Sequence, residues 1–125
     1  MSNHHPIVHI EISANDHAEA GEFYASVFGW KLKAYPEMNY TTFDTGEGIG
    51  GGFNPVTDDN PPGTIMVYIN SDDLEDTLGK IKAAGGQVHL ESMDIPGVGT
   101  MAIFSDPTGN QLALLKPLPM SEDMD

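Results

Sequence analysis

The chain has no cysteine and no arginine, and few cations of any kind. Without cysteine there are no disulfides, no thiolate metal site and no cysteine nucleophile. Without arginine, bidentate guanidinium clamping of a carboxylate or phosphate is excluded. Five lysines stand against nineteen acidic residues, a net charge of −14. Binding to a nucleic acid needs clustered cations that release phosphate counterions, so nucleic acid is not an expected partner. No apolar run approaches the roughly 18 residues of a membrane span. A basic segment followed by an apolar stretch, the mark of a secretory signal, is missing too. The expectation is a soluble cytoplasmic protein with no membrane partner, its acidity mainly a solvated surface.

What is present is a repeat. His9-Ile10-Glu11-Ile12-Ser13 returns 57 residues later as Met66-Val67-Tyr68-Ile69-Asn70, and each copy runs into an acidic helix start. At the same offset Asn15-Asp16 matches Asp72-Asp73, Tyr24 matches Ile81, and Gly29 matches Gly86. A repeat of this length means one βα-unit built twice, with a site expected between the copies. At 125 residues the chain is one domain long, and halves of roughly 60 residues would be marginal alone.

Pro6 to Ser13 alternates apolar and polar, as a half-buried strand does. Asp16 and Glu19 have helix-start spacing, and Ala20, Phe23, Tyr24, Val27 and Phe28 give the helix an apolar face ending at Gly29. Strands are predicted over 30–34, 40–44 and 50–53, with a Pro-Glu-Met-Asn turn between the first two. The Pro-, Asp- and Gly-rich stretch to Gly63 reads as a linker. A second unit follows: a strand over 64–70, a helix from Asp72-Asp73 with Leu74, Leu78, Ile81 and Ala84 inward, and strands over 87–91, 100–105 and 111–116. Asp106-Pro107-Thr108-Gly109 makes the last hairpin turn. The predicted class is α+β in one domain. Residues 6–54 form a first βαβββ module, 55–63 a linker, 64–117 a second module, and 118–125 an acidic tail, its end from Met120 expected to be disordered. The two modules are expected to form paired curved mixed sheets around a cavity.

In this order the chain resembles the vicinal oxygen chelate superfamily of glyoxalase I, bleomycin resistance proteins and extradiol dioxygenases. The carrying residues are Val8-His9-Ile10-Glu11-Ile12, Phe23-Tyr24 with Phe28-Gly29-Trp30, Ala83-Ala84-Gly85-Gly86, and Asp106-Pro107-Thr108-Gly109-Asn110. The resemblance covers residues 6 to 117 and implies a small-molecule ligand and, by family habit, a homodimer.

His9 and Glu11 lie two apart on one strand, so they share a face. If Ile10 and Ile12 face the helix, the polar pair looks into the cavity. A histidine and a carboxylate there suit a divalent metal, an acid–base pair, or an ordinary hydrogen-bonded pair. The resemblance implies that His9 stands where metal-dependent relatives place their first ligand. The second unit has Met66 at the matching place, a poor partner for a hard ion. The glutamate of each module's last strand falls on Ala113 and near Gly51. With at least three protein ligands needed, a divalent metal, the one cofactor the resemblance implies, is expected to be absent. His9 and Glu11 are the candidate catalytic residues. His9, Glu11, Met66, Tyr68, His89 and Met101 are the candidate ligand-binding residues, with Tyr68 at the repeat position of Glu11. His89 and Glu91 are a second i, i+2 pair expected on one face. Gly46 to Gly51 fits G-x-G-x-x-G in letters, yet Phe53-Asn54-Pro55 follows where a dinucleotide site needs a helix, so nucleotide binding is rejected. The predicted function is binding of a small organic ligand in the cavity between the modules. The alternative is a glyoxalase-like lyase or dioxygenase acting on a small oxygenated substrate, with a metal or a remodelled site. A structural module with a filled cavity ranks below both.

Overall fold

In a computed structural model, which describes residues 4–119, the chain is α+β and the βαβββ order occurs twice. The first module comprises β1 (Ile7–Ala14), α1 (His17–Phe28), β2 (Lys31–Tyr35), β3 (Tyr40–Asp44) and β4 (Gly51–Pro55), with a 3₁₀ turn at Pro36–Met38. The second comprises β5 (Ile65–Asn70), α2 (Leu74–Ala83), β6 (Gln87–Ile95), β7 (Gly99–Ser105) and β8 (Gln111–Pro117). The described residues divide into two compact units, one of Val8–Val67 and one joining residues 4–7 to residues 68–119. The expected disorder of the tail from Met120 falls outside the described residues.

In the first unit β1 pairs parallel with β4, while β4 pairs antiparallel with β3 and β3 with β2. Ala14, Phe43 and Phe53 are buried beneath α1, with Ile12, Ala20, Tyr24, Trp30 and Leu32 packed around them. Tyr24 stacks on Trp30 with centroids 4.9 Å apart, and Trp30 stacks on Phe43 at 4.6 Å. The helix approaches the sheet through Gly21, where a Cβ would collide with the Leu32 side chain. The inner face of α1 is therefore turned from the one expected. Ala20, Gly21 and Tyr24 face the sheet, while Phe23, Val27 and Phe28 are 55–61% exposed.

The second unit repeats the plan, with β5 parallel to β8, β8 antiparallel to β7 and β7 antiparallel to β6. Leu78, Ala102, Phe104 and Leu114 are its buried core, flanked by Ile69, Leu74, Ile81, Val88 and Leu112. Both helices open on an aspartate of the repeat: Asp16 accepts from the Glu19 amide and Asp73 from the Asp76 amide, each at 3.0 Å. The repeat slips at the helix ends. The glycine in the left-handed region after α1 is Gly29 (φ 74°), but after the shorter α2 it is Gly85 (φ 98°), not Gly86. The Asp106 turn is as expected, one carboxylate oxygen accepting from the amides of Thr108, Gly109 and Asn110.

Candidate functional site

Strand parity places the polar residues of the first module together. Ile12, Phe43 and Phe53 turn toward α1, so their neighbours His9 and Glu11 on β1, Thr42 and Tyr40 on β3, and Gly52 and Asn54 on β4 turn away from it. Glu11 pairs with Gly52 and Thr42 with Gly52 across the three strands. Gly52 is the gap in this face. A Cβ there would collide with the ring and hydroxyl of Tyr40, so the tyrosine lies across β4 and reaches β1. A glycine inside a strand marks such a close approach.

The Tyr40 hydroxyl ends between the two residues that the sequence singled out. It lies 2.7 Å from His9 Nε2 and donates to Glu11 Oε2 at 3.0 Å. The other carboxylate oxygen accepts from Asn54 Nδ2 at 3.2 Å. Facing a carboxylate, the Asn54 amide must present its NH₂. Its Oδ1 is then buried and meets no donor among the described residues. The His9 and Tyr40 rings also stack, 6.4 Å apart. Burial pushes the His9 imidazole below its ordinary value, because desolvation penalises the cation. His9 is therefore neutral at pH 7, beside a carboxylate held by two donors.

Tyr40, Gly52 and Asn54 escaped the sequence reading, which placed only His9 and Glu11 here. The available signal was the Gly51-Gly52 pair inside a strand pattern. The glutamate position assigned near Gly51 is, by pairing with Glu11, that of Gly52. Its counterpart Ala113 pairs with Tyr68 and is completely buried. Neither bears a ligand atom. Among the described residues no group of three or more His, Asp or Glu is arranged so that it could hold a metal ion.

On the second module, Tyr68 and Met101 are 6% and 5% exposed, and Met66 is half-buried two residues before Tyr68. Ala102, Phe104 and Leu114 face α2, so Met101 and Ser105 face away. His89 joins that side, its Nε2 2.9 Å from Ser105 Oγ, although its ring is largely exposed. Glu91 does not accompany it: its carboxylate lies 4.0 Å from Lys82 on α2. The register of β6 shifts between Val88 and Leu90, and such a bulge reverses the faces that follow it. The expected His89–Glu91 pair is thus split. The segment from Gly46 to Gly50 bends and leads into β4, with a strand and not a helix after the glycines. An open groove of about 450 Å³ beside α1, lined by Ile12, Asp16, Glu19, Phe23, Tyr24 and Phe53 among others, includes neither His9 nor Glu11.

Comparison with known proteins shows what the whole chain is similar to. Residues 6–114 match the Glyoxalase/Bleomycin resistance protein/Dioxygenase superfamily. The CFP32 protein of Mycobacterium tuberculosis is 37% identical over 100 residues, which are 78% of this chain and 38% of the relative. This chain thus spans well under half of CFP32. A glyoxylase-like domain-containing protein of Didymella fabae is 31% identical over 122 residues, with 91% of this chain and 95% of the relative covered. Among solved structures, the methylmalonyl-CoA epimerase of Mycobacterium tuberculosis shares the fold with a TM-score of 0.71 at 13% identity, covering 95% of this chain and 93% of that one.

Proposed function

Because the chain belongs to the glyoxalase/bleomycin resistance protein/dioxygenase superfamily, we propose that it binds a small oxygenated organic molecule without the usual divalent metal. The ligand meets the face of the first module turned away from α1, where His9 and Glu11 orient it. On the second module's own face away from α2, Met66, Tyr68, His89 and Met101 are the ligand-facing residues of this reading. The observation that carries it is the phenol oxygen seated 2.7 Å from His9 and 3.0 Å from Glu11. Those are hydrogen-bond lengths to a proton carrier, where a metal would stand about 2.0–2.2 Å from each donor. Gly52, Ala113 and Met66 supply none of the missing ligands a divalent ion needs. A small-molecule ligand is in keeping with the name of the fold neighbour, an epimerase of methylmalonyl-CoA.

Thermal unfolding against a panel of apolar and aromatic small molecules tests this. A ligand at a hundred times its Kd stabilises by about 2.7 kcal/mol. The expected result is a raised Tm that is lost in Glu11→Gln. No shift with any compound would overturn the binding function. A second reading, an enzyme of the glyoxalase-like lyase or dioxygenase kind, or one moving protons with His9 and Glu11 unaided, draws on the unbroken hydrogen-bonded line from imidazole to carboxylate. It predicts α-hydrogen exchange of hydroxyacetone in deuterated water, abolished in Glu11→Gln. The assembly in this reading is a homodimer, which light scattering would report as twice the 13.4 kDa chain mass.

A further inference from the structure

The groove beside α1 lies wholly within the first compact unit, on the sheet face opposite to His9 and Glu11. Gly21 lets the helix sink onto Leu32 of β2, and α1 packs over β2, β3 and β4. The space left between the helix and the end of β1 is the groove. Ile12 and Phe53 form its floor, Phe23 and Tyr24 its wall. The two wall rings stand at 87° with centroids 5.1 Å apart, and Tyr24 stacks on Phe53 at 5.7 Å. They make a fixed aromatic corner, yet Phe23 is 55% exposed. Covering such a surface with an apolar group is favourable.

Asp16 and Glu19 stand at the rim. One oxygen of Asp16 caps the helix, and among the described residues neither carboxylate is in an ion pair. The unit's two lysines do not offset them. Lys31 and Lys33 flank Leu32 on β2, and because Leu32 packs toward α1 both lysines face away from it. The helix end supplies about half a positive charge, less than two carboxylates bring. His17 lies against Phe53, ring centroids 6.4 Å apart, and does not line the groove.

We infer that this groove is a second binding site, for a small organic cation whose apolar ring covers the aromatic corner while its protonated or quaternary amine meets Asp16 and Glu19. A volume of about 450 Å³ is that of a small-molecule pocket. Aromatic faces attract such a cation, and the two carboxylates add their charge and repel an anion. A second copy is disfavoured as occupant, since a two-fold contact sets one acidic rim against the other in chains that each carry −14.

The test is amide NMR of the full chain with three probes: benzyltrimethylammonium, benzyl alcohol and phenylacetate, which join one ring to a cation, a neutral group and an anion. The cation should shift the amides of residues 12–24 saturably and bind at least tenfold more tightly than either of the others. Its affinity should fall at least threefold between 20 and 200 mM salt. Asp16→Asn combined with Glu19→Gln should weaken it at least fivefold, the helix being kept because asparagine caps as well as aspartate. Asp58→Asn with Asp59→Asn, the same change of charge outside the groove, and Glu11→Gln on the opposite face should both leave it unchanged. Shifts scattered over the acidic surface, equal losses in the two double variants, a loss in Glu11→Gln, or benzyl alcohol or phenylacetate bound as tightly would each overturn the inference. So would a dimer that Phe23→Ser converts to a monomer, since a second copy then covers the groove. If the Asp16, Glu19 variant does not fold, Phe23→Ala, which should weaken the cation at least threefold, and the salt dependence decide.

Discussion

At position 52 a single methyl group would collide with the Tyr40 ring. Gly52→Ala must therefore move the tyrosine or the strand beneath it. Overpacking of this kind costs about 1–3 kcal/mol, and chemical denaturation should show a loss in that range. Tyr40→Phe keeps the ring and removes the hydroxyl, so His9 Nε2 and Glu11 Oε2 both lose a partner at a cost of about 1–3 kcal/mol. His9 also gives stability an acid dependence. In the unfolded chain it takes up a proton near its ordinary 6.5, whereas in the folded protein burial delays this to lower pH. Between those values the unfolded state binds more protons, so stability falls as pH drops through that window. The fall in Tm from pH 8 to pH 5.5 should be smaller in His9→Asn than in the wild type. Asp106, whose carboxyl is held below its ordinary value chiefly by the Asn110 side chain, adds an acid dependence only below 3.8, outside that window. The sequence yielded His9 and Glu11 because their relation is local, two residues along one strand. It did not yield Tyr40 and Asn54, which reach Glu11 from 29 and 43 residues away, because their convergence depends on strand order and on a side chain that is not there.

The helices and strands were legible where the signal lies in the chain itself. Asp16 caps α1 as its D-x-x-E spacing requires, and Asp73, its partner in the repeat, caps α2; replacing either by alanine should cost about 1 kcal/mol, measurable by denaturation of each variant. The start of each helix follows the repeat for this reason. The inner face of α1 was not legible, since Phe23, Val27 and Phe28 are as apolar as Ala20 and Tyr24. What rotates the helix is Gly21 against Leu32, a contact that residue spacing does not encode. The β6 bulge was hidden likewise. Its sequence alternates smoothly through His89 and Glu91, and the register shift that parts them arises from pairing with β7.

For the whole molecule, the doubled βαβββ order read from the 57-residue repeat is the order of the structure. The repeat survives in the cores, the caps and the parallel pairing of each first strand with its module's last strand. It fails at the polar faces, where Glu11 over Gly52 becomes Tyr68 over Ala113. The net charge of −14 belongs to this scale too. Self-repulsion of the compact state is relieved by screening, so Tm should rise between 10 and 200 mM salt, and a flat or falling Tm would show that repulsion is not felt. The central proposal, that His9 and Glu11 share a phenol and carry no resident metal, is tested most directly by elemental analysis of untagged protein purified without chelators. The account predicts far less than one transition metal per chain, with no difference between wild type and His9→Ala. One tightly held metal per chain, lost in His9→Ala, would contradict it.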